Sequence, residues 1–169
     1  MLTRSTTRIP DCLYSTETFP NHRTMTNNGN FIKTCNSLLR GELSAVETYS
    51  QALEKFPGSP GAEALQRIRS DHEESAQVLR NHIAEMGGTP ATDSGAWGSF
   101  AQAVEGTAKI LGESAALKAL IEGEQHGINE YENALEDEGV MTDAKDSIRE
   151  ALLPSLFDHV AKLETLRAA

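Results

Sequence analysis

From Ile32 the apolar positions run Ile32, Cys35, Leu39, Val46, Tyr49, Leu53 and Phe56, at spacings of three, four and seven that place them along one face of a helix. One position of that seam, residue 42, is filled by Glu. Pro57, Gly58, Pro60 and Gly61 end the pattern and turn the chain. A second stripe follows at Leu65, Ile68, His72, Ala76, Leu79, Ile83 and Met86, stopped by Gly87 and Gly88. The short connection predicts two antiparallel neighbours. A weaker helical stretch covers Trp97, Phe100, Val104, Ala108 and Leu111, after which Gly112 breaks the pattern. The third long stripe is Leu117, Ile121, Glu124, Ile128, Tyr131 and Leu135, closed by Gly139, with Thr142 or Asp143 placed to cap the next helix. The last is Ile148, Leu152, Leu156, His159, Leu163 and Leu166. Pro154 interrupts it and predicts a kink about one turn before His159.

The four patterns are two copies of one plan. Shifting the first helix by 82 residues lays Leu39 on Ile121, Gly41 on Gly123, Glu42 on Glu124, Val46 on Ile128 and Tyr49 on Tyr131. Shifting the second by 87 lays Leu65 on Leu152, Asp71-His72 on Asp158-His159 and Leu79-Arg80 on Leu166-Arg167. The expected fold is therefore all-α, two αα-hairpins joined by a long crossover that contains a short extra helix.

Residues 1–30 are rich in Thr, Ser, Asn, Arg and Pro without apolar periodicity, and are expected to be a disordered tail preceding a bundle over 31–169. Met25 is an alternative start, since the pattern begins just after it. Pro10, Pro20 and the acids Asp11 and Glu17 argue against a transit peptide.

Composition narrows the function. The chain of 169 residues carries Lys+Arg 15 against Asp+Glu 25, a formal charge of −10, and lacks the basic footprint that holds phosphate backbones. Nucleic acid is not an expected partner. No apolar run approaches the ~18 residues of a membrane span, so no membrane partner is expected either. Cys12 and Cys35 are the only cysteines, which suits free thiols and a cytoplasmic setting. Phosphate loops, Ser/His/Asp sets and paired Cys motifs are lacking.

The candidate chemistry lies in the seam. A buried carboxylate costs several kcal/mol unless it is paired or bound. Glu42 and Glu124 hold equivalent seam positions, as do His72 and His159, so packing about a pseudo-two-fold axis brings the four together. Two carboxylates and two imidazoles form a mixed O/N site for one divalent metal such as iron, manganese or zinc. Tyr49 and Tyr131, two turns beyond the glutamates, are candidate hydrogen-bond donors supporting them. A structural alternative stands beside this one: Glu42 pairs with His72 or Arg69, and Glu124 with His159, as polar relics in the core. His82 reads as a boundary histidine and His126 as facing away from the seam. Asp71 and Asp158, one residue from the histidines, are expected to point off it. The acidic run Glu130, Glu132, Glu136, Asp137 and Glu138 reads as a solvated face.

A Glu seven residues before a Tyr on helices one and three, with His in the core of helices two and four, resembles the ferritin-like superfamily that includes rubrerythrin and bacterioferritin. More closely, residues 31–167 are similar to a bacterial ferritin-like four-helix-bundle family of unknown function, with Leu38–Leu53 and Leu120–Leu135 carrying most of the likeness. The resemblance implies a ferritin-like bundle and a homodimer. Di-iron bundles take a Glu-x-x-His from each of two helices, whereas Arg69 and Leu156 stand where those glutamates belong. A di-iron centre is therefore poorly supported. Two functions remain: a non-enzymatic bundle, stress-associated and acting by self-association, or a metal-binding protein or oxidoreductase using Glu42, His72, Glu124 and His159.

Overall fold

The structure is a computed structural model and describes residues 22–97 and 112–169. Among the described residues every regular element is helical. Helix α1 is His22–Lys55, α2 is Ala62–Glu85 and α3 is Glu113–Glu136. Helix α4 is built from Thr142–Ser147, a π-helical turn at Ile148–Leu152, and Leu153–Ala168. A single 3₁₀ turn at Gly95–Trp97 follows α2.

Side-chain pairings give the helix directions. Glu42 of α1 meets Tyr131 of α3, and seven residues further along α1, Tyr49 meets Glu124, seven residues back along α3. The two helices are antiparallel. So are α2 and α4, where Asp71 meets His159 and His82 meets Ser147. Within the hairpins, α1 and α2 run oppositely, as do α3 and α4, so α2 and α3 point the same way. The described part of the connector lies along α1: Asn36 bonds Thr89 and Ala91, and Ser94 donates to Glu47. Most of the weak helix expected over Trp97–Leu111 lies outside the described residues.

The apolar core is divided by a polar layer. One cluster contains Phe31, Cys35, Leu38 and Leu39 of α1, Ala76, Leu79 and Ile83 of α2, and Ile148, Leu152 and Leu156 of α4. The other contains Tyr49, Ala52, Leu65, Ile68, Leu117, Leu120, Ile121 and Leu163. Glu42, His72, Glu124 and His159, each at most 4 % exposed, lie at the boundary between them.

The stripes of α2 and α3 are buried as their periodicity predicts, except that Met86 and Leu135 at their ends are half-buried. That of α1 is broader than expected: Cys35, Leu39, Glu42 and Tyr49 are buried and Phe31, Leu38 and Ala52 join them, while Ile32, Val46, Leu53 and Phe56 are only half-buried. Helix α1 starts at His22, inside the stretch up to residue 30 that is expected from its composition to be a disordered tail. The expected cap at Thr142 or Asp143 is not formed; Met141 takes that position with no side-chain hydrogen bond. Pro154 is taken up by the π turn, in which the Leu153 N–H reaches back to the Ile148 carbonyl. Such a turn re-pairs backbone groups around a residue with no N–H to offer.

Two glycines make opposite demands. A Cβ on Gly88 would stand 2.9 Å from side-chain carbons of both Ile32 and Ile83, whereas one on Gly41 would meet nothing within 4 Å. Gly88→Ala is expected to lose about 1–3 kcal/mol through overpacking, and Gly41→Ala to gain up to about 1 kcal/mol through helix propensity. Urea unfolding of the two variants checks this; shifts of the same sign would contradict it.

Candidate metal centre

Each of the four helices sends its seam residues to the polar layer at mid-length. Glu124 of α3 is at its centre. Its Oε1 accepts from the Tyr49 hydroxyl of α1 at 2.5 Å and lies 3.0 Å from Nε2 of His72 on α2. Its Oε2 lies 3.3 Å from Nδ1 of His159 on α4. The outer nitrogen of each ring meets a second carboxylate: Nδ1 of His72 is 2.7 Å from Oε2 of Glu42, and Nε2 of His159 is 3.1 Å from Oδ2 of Asp71. The Tyr131 hydroxyl donates to Oε1 of Glu42 at 2.6 Å, and Ser155 Oγ lies 3.2 Å from Nε2 of His159. The histidine rings are 4.9 Å apart. The result is a chain of groups in the order Glu42, His72, Glu124, His159, Asp71.

The four candidate ligands therefore come together, but not as equals. Among the described residues, His72, Glu124 and His159 each offer a ligand atom, all within 4.8 Å of one another. Glu42 holds the far side of His72. Arg69, the other partner considered for Glu42, is half-buried and instead faces Glu73, one turn on along α2. Tyr49 and Tyr131 donate to the glutamates, each across the bundle to the glutamate of the other hairpin. An antiparallel α1–α3 pair brings opposite ends of two equal seven-residue intervals together, so the bonds are reciprocal.

Two expectations need correction, those for Asp71 and Asp137, whereas Asp158 points off the seam as expected. Asp71 turns its half-exposed carboxylate to His159, because a residue 100° off the seam of α2 faces the neighbouring α4. Its repeat partner Asp158 is on the exposed side of α4 and pairs with Lys162, so the repeat is broken here. Asp137 is not simply solvated: it accepts from Asn30, Thr34 and the backbone of Gly139, joining the end of α3 to the start of α1. His82 is a boundary histidine as expected, 3.0 Å from Ser147 Oγ, and His126 is exposed.

Burial and charge oppose each other here. Burial lowers the pKa of His72, but the charges of Glu124 and Glu42 and the hydrogen bonds to both outweigh it and raise it to about 10. Burial raises that of Glu124, while the His72 charge and the bonds from His159 and His72 bring it down to about 2. Burial and the adjoining glutamates push both tyrosines well above their ordinary value, so they remain donors. Cys35, deep in the core, is pushed up to about 12 by burial and stays a thiol.

Residues 30–137 match the family described as Domain of unknown function (DUF2383). The chain belongs to that family. The matched stretch holds α2, α3 and most of α1, and with them Glu42, Tyr49, Asp71, His72, Glu124 and Tyr131; His159 of this DUF2383 chain lies beyond it. Comparison with curated proteins and with solved structures gives no match. No helix among the described residues is long and apolar enough to cross a membrane.

The two shifts set a pH window for the metal-free protein. Folding raises His72 from 6.5 to about 10, so its contribution is complete below about 6.5 and is lost as pH rises towards 10. Folding lowers Glu124 from 4.5 to about 2, so its contribution is complete above about 4.5 and is lost as pH falls towards 2. Urea unfolding of chelator-treated protein is expected to show this network's full stabilisation between those limits, with the alkaline decline absent in His72→Gln. Stability that is flat from neutral to strongly alkaline pH in the wild type would contradict the pairing. Tyr49→Phe, which removes a donor from buried Glu124, is expected to cost about 1–3 kcal/mol in the same assay.

Proposed function

We propose that this chain is a ferritin-like four-helix bundle, two αα-hairpins joined by a crossover, that binds a single divalent metal ion at its centre. His72, Glu124 and His159 would hold the ion, with Nε2 of His72 and Nδ1 of His159 turned towards Glu124. Two imidazoles and one carboxylate are a donor set suited to iron(II), manganese(II) or zinc. The observation that carries this reading is that both ring nitrogens of both histidines face carboxylate oxygens. A neutral imidazole has one donor and one acceptor, so each ring needs a positive charge, from a second proton or from a metal ion, to satisfy its second contact. One divalent ion beside Glu124 supplies it to both rings at once. Glu42 and Asp71 then take the role carboxylates hold behind metal-bound histidines, fixing tautomer and ring orientation. Arg69 and Leu156 leave nothing to bridge a second ion.

Protein grown in metal-replete medium is expected to contain about one metal per chain by elemental analysis. Glu124→Gln is expected to abolish that content, and Asp71→Asn to weaken affinity about 10–100-fold. Because His72 carries a proton in the metal-free state, titration at neutral pH should release at least one proton per ion bound. Metal-free wild type whose melting temperature ignores added iron, manganese and zinc would overturn the reading.

One observation favours a second reading, a non-enzymatic bundle in which these residues are structural. Among the described residues, the buried side-chain polar atoms without a hydrogen-bond partner belong to Gln51, Ser59 and Arg69, and none to the polar layer. The network is satisfied by protein groups alone. Under this reading, replacing Glu42, His72, Glu124 and His159 together by apolar residues of similar volume leaves stability unchanged or raises it. Under the first reading the wild type gains stability from metal, and this variant does not.

A further inference from the structure

Three protein ligands do not complete the coordination of a first-row metal, and a fourth position left to an exchangeable ligand marks sites that bind or transform small molecules. Where that position faces depends on the space around His72, Glu124 and His159. A cavity of about 100 Å³ lies between α1 and α3, with His72, Glu124 and Glu42 on its floor. His159 does not line it and is backed instead by Asp71 and Ser155.

The walls of this cavity are largely apolar, with Leu38, Ala45, Leu120 and Leu156 among them. Gly41 and its repeat partner Gly123, each one residue before a buried glutamate, contribute no side chain. Gly127 is needed for packing, since a Cβ there would come within 2.9 Å of Leu156. Gly41 is different. A glycine inside a helix costs about 1 kcal/mol relative to alanine, and open space lies before it. What its missing side chain provides is room in the cavity.

We propose that the α1–α3 cavity receives a small uncharged ligand with one donor atom, which completes the coordination of the metal; the inference rests on the metal reading above. Charge selects the class. Glu42, Glu124 and Glu130 line the cavity beside His72 and His126 and no Lys or Arg does, so three carboxylates outweigh the two positive charges of the ion and disfavour an anion. Volume sets the size. An apolar cavity of ~150 Å³ holds benzene, so this one suits a molecule of about five heavy atoms or fewer.

The test uses the full chain loaded with Co²⁺, whose visible absorption reports its ligands, with imidazole at a pH where it is uncharged and acetate as an anionic probe. Retention of Co²⁺ is checked by elemental analysis. Imidazole is expected to shift the Co²⁺ bands at a concentration about tenfold or more below that at which acetate does. Gly41→Leu should keep the Co²⁺ spectrum and lose the imidazole response, its side chain entering the cavity without a backbone clash. If that variant takes up no Co²⁺, Ala45→Met is read in the same way. A wild-type spectrum indifferent to imidazole, an equal response to acetate, or cavity-filled variants that respond as the wild type does would each overturn the proposal while leaving the metal reading intact. Failure of the wild type to take up Co²⁺ would overturn the metal reading, and this inference with it.

Discussion

A single buried carboxylate ties the bundle together. Glu124 on α3 is met by Tyr49 from α1, His72 from α2 and His159 from α4, so side chains from all three other helices converge on its two oxygens. At 4 % exposure it has little water to rely on, and leaving any of these partners out would uncover part of a charge in a low-dielectric core. Apolar stripes allow helices to slide and rotate at modest cost. A buried charge with several named partners does not. The register of α1, α2 and α4 against α3 is therefore held at this layer, and the two apolar clusters on either side of it fill in around a fixed centre.

The same layer is costly as pure architecture, since well-packed apolar residues in place of buried ion pairs are often at least as stabilising. Its position inside the bundle and its ordering favour a use. Carboxylates stand outside both imidazoles, the imidazoles stand outside Glu124, and two phenols that stay protonated close the network from across the bundle. Pro154 contributes from a distance: the π turn before it, closed by the Leu153 N–H on the Ile148 carbonyl, lets α4 continue to Ser155 and His159. Such turns are found disproportionately near functional sites.

Much of this was legible along the chain. The repeat placed Glu42 with Glu124 and His72 with His159 at equivalent seam positions, and all four are buried together. What escaped was whatever depended on a neighbouring helix. Asp71 is off the apolar face of its own helix, and nothing in the periodicity of α2 says that α4 stands beside it. Asp137 lies in a run of acids that reads as solvated, yet the start of α1 comes to it. The widening of the buried face of α1 to Phe31, Leu38 and Ala52 follows from a helix that packs on both α2 and α3 and so buries more than one narrow seam.

By itself, then, the order of residues determined the helices, their breaks at Pro57–Gly61 and Gly87–Gly88, and the four polar positions that must face inwards, because these follow from period and local chain chemistry. The tertiary structure alone decided the roles within the polar layer. Glu124 became the centre and Glu42 an outer partner, although the repeat makes them equivalent, because His72 reaches both glutamates while His159 reaches Glu124 and Asp71. Periodicity specifies which way a side chain leaves its helix. Which atoms it then meets is set by how four rods cross, and that is a property of no single stretch of chain.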